Sequence, residues 1–188
     1  MGSRFAKTMF SPAAKLLQEQ HGSRAQYERL AALGPRDEAL GDFERQFIAA
    51  RDSFYLASVN EDGWPYIQHR GGPAGFLHVL DGRTLAFADF AGNKQYITAG
   101  NLATNDRVAL FLMDYPHQAR LKIIGHARIV ELGEDPALEA QLRQPVYPAH
   151  AYPTPIERIF VISIVAYDWN CSQHITPRFT EEEFARGI

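Results

Sequence analysis

Apolar positions in the first fifty residues recur at helical spacing. Ser11-Pro12 offers a cap and a favourable first helical residue, and Leu16, Leu17, Tyr27, Leu30 and Leu33 follow among charged residues, with His21-Gly22 as an interruption. Gly34-Pro35 stops this segment. A second helix is predicted over about Asp37–Ala50, with Leu40, Phe43, Phe47 and Ile48 on its apolar side. After Arg51 the period becomes that of strands. Ser53–Asn60 ends at Glu61-Asp62-Gly63, a hairpin signal. Strand-like segments follow at Tyr66–Arg70, Gly75–Leu80, Thr84–Asp89, Arg107–Met113, Arg120–Glu131 and Arg158–Tyr167, with a second tight turn at Asp81-Gly82-Arg83. Short helices are predicted over about Lys94–Ala103 and Pro136–Arg143, and Pro145–Pro155, with four prolines, reads as a loop.

This spacing favours an antiparallel barrel over a parallel sheet. The expected fold is mainly β with flanking helices, a six-stranded antiparallel barrel over residues 51–188 behind an N-terminal helical extension of residues 1–50. Val108–Met113 and Phe160–Val165 are apolar on both faces, whereas a barrel wall exposed to water should alternate. Something must therefore cover the outer face, either the N-terminal helices or a second copy of the chain.

Composition narrows the class without naming a function. The 188 residues are 46% apolar and 22% charged, ordinary for a globular protein that needs no staple. A net charge of −3 argues against a nucleic-acid face or a polybasic membrane patch. No run of 18 apolar residues occurs, and the first residues lack the apolar core of a leader. The single cysteine, Cys171, excludes an intrachain disulfide. The expectation is a cytoplasmic protein with no nucleic-acid or membrane partner, in which the Asn170-Cys171-Ser172 sequon is a chance match.

Three segments carry candidate chemistry. In Gln68-His69-Arg70-Gly71-Gly72-Pro73-Ala74-Gly75-Phe76, the glycines permit close approach of a ligand or of another backbone. A bulge at a barrel corner would need the same residues. A dinucleotide fingerprint is excluded because a strand, not a helix, follows. Gln68 and Arg70, two apart on a strand, project together. In Asp89-Phe90-Ala91-Gly92-Asn93-Lys94-Gln95-Tyr96, a strand end runs into a predicted helix start. Lys94 in a first helical turn opposes the dipole unless an anion lies beside it, although a solvated surface lysine is the plainer alternative. Arg70 and Lys94 could meet one phosphate, with the main chain of Thr84–Asp89 as an edge beside it. The third segment, Tyr167-Asp168-Trp169-Asn170-Cys171-Ser172-Gln173-His174-Ile175-Thr176-Pro177-Arg178, packs polar and aromatic groups into one loop after the last strand, although a core-packing Trp169 with solvated neighbours would read the same. One Cys and scattered His make no recognisable metal set, and no metal is expected.

Together these segments resemble the FMN-binding split barrel of the pyridoxamine 5'-phosphate oxidase-like superfamily, nearest its flavin-nucleotide-binding branch. The resemblance covers roughly Phe43–Phe179. It rests on the order of Gly63-Trp64-Pro65, Gln68-His69-Arg70-Gly71-Gly72, Gly92-Asn93-Lys94-Gln95-Tyr96, Asn105-Asp106-Arg107-Val108, Arg120-Leu121-Lys122-Ile123 with Gly125, and Asp168-Trp169-Asn170-Cys171. It implies a six-stranded split β-barrel, with FMN at the interface of a homodimer. Gln68, His69, Arg70, Gly71 and Gly72 would touch the ribityl chain and ring, and Asn93, Lys94 and Gln95 would hold the phosphate. Phe87 and Ala88 would offer main-chain contacts to the ring edge, while Trp169 and Asn170 would close the pocket from the same or the partner subunit.

The sequence departs from the oxidase pattern, which has an arginine at the position of Gln68 and a lysine at that of Pro73, so Arg70 would rebuild the clamp. The oxidase's C-terminal arginine-bearing segment is replaced by Trp169–Arg178, which points away from pyridoxamine phosphate as substrate. The functional expectation is an FMN-dependent oxidoreductase acting on an unidentified small molecule. A non-catalytic flavin carrier or redox sensor is the alternative, with a haem-binding split barrel a third reading. No catalytic residue is assigned.

Overall fold

The computed structural model describes residues 3–32, 39–143, 154–169 and 173–187. The expected stop at Gly34-Pro35, the start of the second helix at Asp37, most of the proline-rich loop, and Asn170, Cys171 and Ser172 lie outside these residues.

Among the described residues, four helices precede the sheet: α1 (Ser3–Met9), α2 (Pro12–Gln20), α3 (Arg24–Ala32) and α4 (Asp42–Ala49). Ser11 caps α2 through its side chain, and the chain breaks at His21-Gly22 with Gly22 at a φ of 73°. The apolar face expected on α2 is not buried. Leu16 and Leu17 are exposed, and the buried residue is Gln18, whose amide oxygen accepts from Arg24. On α4 the core contact is Ile48, and Glu44 is buried beside it.

Among the described residues, seven strands follow in one antiparallel sheet: β1 (Ser53–Val59), β2 (Pro65–Gly71), β3 (His78–Val79), β4 (Thr84–Phe90), β5 (Arg107–Asp114), β6 (Ala119–Glu131) and β7 (Ile156–Trp169). Helices α5 (Ile97–Leu102), α6 (Pro136–Leu142) and α7 (Glu181–Arg186) flank it. The spatial order is β2-β1-β5-β6-β7-β4-β3. The expected mainly β fold with flanking helices is present, but as seven strands among the described residues rather than the expected six-stranded barrel. Each strand-like segment of the sequence yields a strand, although of Gly75–Leu80 only His78 and Val79 pair, with Ala86 and Leu85.

The sheet rolls without closing into a hydrogen-bonded barrel. Phe54 of β1 lies edge-on to Phe87 of β4 at 5.2 Å, and Phe87 stacks on Phe160 at 5.0 Å, although β1 and β4 are four strands apart in the order. Only a curled sheet brings these rings together around one core, which also takes in Leu56, Leu110, Leu112, Leu121 and Ile162. The inner faces of β1 and β5 are buried at alternate positions, as a period of two requires.

The outer face is covered in part by the chain itself. Phe5 and Ala6 of α1 are buried, and Ile175 is buried on the segment after β7. Between these and the sheet lies a cavity of about 650 Å³, lined by Tyr55, Ile67, Phe111, Met113, Ile124 and Arg120 among others. Ile67 remains 66% exposed. No helix among the described residues is long and apolar enough to cross a membrane.

Candidate functional site

At the seam where β2 approaches β4, side chains from several segments meet around a cavity of about 230 Å³. Gln68 and Arg70 enter from β2, Asp89 and Phe90 from β4, Asn93, Lys94 and Gln95 from the following loop, and Glu157 from β7. The register explains why Gln68 and Arg70 arrive together. They oppose Leu56 and Phe54, both in the core, so they share the inner face of β2. His69 opposes Tyr55 on the other face and packs against its ring.

The electrostatics centre on Asp89. Arg70 Nη1 donates to Asp89 Oδ1 at 2.5 Å, and Arg158 Nε lies 3.5 Å from Asp89 Oδ2. The Arg70 guanidinium also sits over the Phe160 ring at 5.2 Å. Burial pushes the Asp89 carboxyl above its ordinary range, against the opposing pull of Arg70 and Arg158. The Nε groups of Arg70 and Arg158 are buried and have no hydrogen-bond partner among the described residues. Thr98 donates to Gln68 Oε1 at 3.1 Å, which fixes the amide.

Helix α5 begins at Ile97 rather than at Lys94. Lys94 and Tyr96 both adopt left-handed backbone, at φ of 57° and 53°, and Asn93 Oδ1 accepts from the Gln95 amide at 3.2 Å. Two left-handed residues cannot belong to a right-handed helix, so the helix-dipole argument for Lys94 is corrected. Its exposed side chain reaches the cavity from a strained loop. Left-handed conformations of bulky residues cost roughly 1–2 kcal/mol each, and such strain concentrates where a loop holds a ligand.

The remaining described candidates do not line this cavity. Phe87 and Ala88 are buried, but β3 pairs only as far as Ala86, so the same edge of β4 beyond it has no strand partner among the described residues. Gly71 ends β2 beside this seam. The close approach at Gly72 is to Phe76, whose Cγ would lie 2.7 Å from an added Cβ. Trp169 packs against Phe43 and Phe47 and donates from Nε1 to Glu44 at 2.8 Å. It ends the strand that starts beside the cavity, and at ~3.3 Å per residue the eleven steps from Arg158 span roughly 35 Å. Asn170 lies outside the described residues.

Asp89, Arg158, Glu157 and Thr98 were not assigned to the site from sequence, and Tyr96 entered only as the end of a motif. Asp89 opened a quoted segment, but nothing local distinguishes a strand-end carboxylate that meets arginines 19 residues before it and 69 after it.

Fold and cavity define the class: a small, mainly β protein with flanking helices, whose sheet rolls around one core and leaves a charged cavity at its open seam. The chain belongs to the pyridoxamine 5'-phosphate oxidase family, whose model matches residues 40–164. Among solved structures it is similar to HupZ of Group A Streptococcus, with 13% identity, 74% of this chain and 99% of that chain covered, and a TM-score of 0.54. It is also similar to a candidate pyridoxamine 5'-phosphate oxidase from Lactobacillus delbrueckii, with 20% identity, 71% and 96% coverage and a TM-score of 0.53. At these identities the likeness concerns the fold. No curated protein matches the chain.

Proposed function

We propose that the chain is an FMN-binding homodimer that acts as a flavin-dependent oxidoreductase on a small molecule. The observation that carries this reading is the convergence of Gln68, Arg70, Asn93, Lys94 and Gln95 on one cavity beside an unpaired strand edge. The residues present fit a phosphorylated flavin. Arg70 retains a buried Nε donor with no hydrogen-bond partner among the described residues, Lys94 adds a charge, and the amides of Asn93 and Gln95 suit phosphate or hydroxyl oxygens.

At about 230 Å³ the cavity is smaller than the ~300–1,000 Å³ of complete small-molecule sites. It suits the ribityl-phosphate tail, leaving the ring along the open edge of β4 at Phe87 and Ala88. A ring there needs a cover, which a second protomer would supply. Trp169 of the same chain lies too far along β7 to do so. When bound, FMN supplies the hydride or electron chemistry. The chain's own residues would anchor the phosphate, align the ring through main-chain groups of β4, and exclude water at the seam.

The test is the visible spectrum of the purified protein, mass spectrometry of what heat releases, and FMN titration of Arg70→Ala and Lys94→Ala. Each substitution is expected to weaken FMN about 10- to 100-fold, as loss of a charge-assisted contact does. Unchanged affinity in both removes the phosphate assignment. Turnover with nicotinamide or deazaflavin donors distinguishes the oxidoreductase from a flavin carrier.

A further inference from the structure

Asp89 is the acid that the anion site would not need. It lines the cavity, is 9% exposed, and places a negative charge on the same guanidinium that would hold a phosphate. Arg70 Nη1 bonds to one of its oxygens at 2.5 Å. Arg158 stands at the other, but its Nε is 3.5 Å away and is buried without a hydrogen bond among the described residues. Arg158 is steadied by Glu157 at 3.2 Å and by the Tyr96 ring at 4.7 Å, two residues that themselves line the cavity. One carboxylate thus serves two arginines, bonded to the first and incompletely engaged by the second.

A phosphate approaching Arg70 must compete with Asp89 for its donors and face a like charge at close range. Arg158 offers the displaced carboxylate a place to go, because a small movement would complete its contact with Oδ2. We infer that Asp89 is a resident counter-ion which sets the preference of this site for phosphorylated over unphosphorylated flavin, and that Arg158 controls how firmly Asp89 holds Arg70. This rests on the cavity being the phosphate seat of the proposed FMN site. Asp89 is the specificity-determining residue, and Arg158, acting through it, is a positioning residue. Their effects have opposite sign. Removing the carboxylate frees Arg70 for the ligand, whereas removing the Arg158 charge leaves Asp89 to Arg70 alone.

The experiment titrates FMN, riboflavin and inorganic phosphate into the full chain and into Asp89→Asn, Arg158→Gln and the double variant, with circular dichroism to verify folding. Asp89→Asn is expected to raise the FMN-to-riboflavin preference about five- to tenfold, and Arg158→Gln to lower it by a similar factor. In the Asp89→Asn background, Arg158→Gln should then change the preference less than about twofold, because its effect passes through the carboxylate. An unchanged or reduced preference in Asp89→Asn overturns the inference, as does an Arg158→Gln effect that persists in the double variant. If Asp89→Asn does not fold, Arg158→Gln decides: a selective loss of FMN with recovery in Arg158→Lys supports the inference, and equal loss of both flavins overturns it. If the wild type binds neither flavin, the FMN reading fails by itself. Phosphate then decides the charge relation, with tighter phosphate binding in Asp89→Asn supporting it and no change overturning it.

Discussion

Asp114, at the end of β5, illustrates how much a single side chain can tie together. Its carboxylate receives Arg51 Nη2 at 2.8 Å, the His117 amide at 3.1 Å and His117 Nδ1 at 2.9 Å. Burial works to raise its carboxyl, but the His117 bonds and the Arg51 charge outweigh that and hold it below the ordinary carboxylate range. A depressed folded value means that stabilisation is present above the unfolded value, near 3.9, and is lost as pH falls through the folded one. Asp114→Asn should therefore cost about 3 kcal/mol at pH 7, as breaking a buried pair does, with the difference from wild type shrinking below about pH 4. Urea unfolding at pH 7 and pH 3 measures both. Gly125 is a second such point. A Cβ there would lie 2.5 Å from the Ser163 carbonyl oxygen, where the β6–β7 register shifts. Gly125→Ala should destabilise the fold by about 1–3 kcal/mol in a thermal melt, because backbone rather than a side-chain tip must move. Sequence marked the Gly125 position through the resemblance, but not its reason, which lies on a strand 38 residues away.

Among the elements, most strands were legible because alternating or continuous apolar runs bounded by turn residues report local geometry. The errors fell where packing overrides local pattern. The apolar residues of α2 face outward while Gln18 turns inward to Arg24. Helix α5 starts three residues late because Lys94 and Tyr96 are left-handed, a conformation that their side chains do not advertise. Helix α4 joins the sheet through an unexpected residue, Glu44, which accepts from both Trp169 Nε1 and the Gly41 amide. Glu44→Ala leaves the indole N–H without its acceptor and should lower stability by about 1–3 kcal/mol. It should also alter Trp169 fluorescence, and a spectrum and stability unchanged from wild type would show that the clamp contributes nothing.

At the scale of the whole molecule, α6 covers the second apolar face of β7 through Leu138 and Leu142 against Ile159 and Val161, and α1 with the segment around Ile175 covers part of the outer face elsewhere. Tyr55 and Ile67 stay exposed at the rim of the larger cavity, at 41% and 66%, beside the half-buried Phe111 and Met113. The proposed dimer would seat its second copy here and cover the flavin ring with it. Ile67→Asp should then shift sedimentation from dimer to monomer and weaken FMN, while leaving the far-UV circular dichroism unchanged. A dimer that persists in Ile67→Asp would move the interface to another face.

The amino-acid order by itself determined the antiparallel, mainly β architecture, its flanking helices, the two hairpin turns and the joint projection of Gln68 and Arg70. All of these follow from periodicities of two and 3.6 and from turn chemistry within a few residues. Only the tertiary structure decided that the sheet curls without closing, that Phe54 meets Phe87 across it, and that Arg70 and Arg158 share the Asp89 carboxylate. Those contacts join strands far apart along the chain, and their geometry is set by how the rolled core packs rather than by any neighbour in sequence.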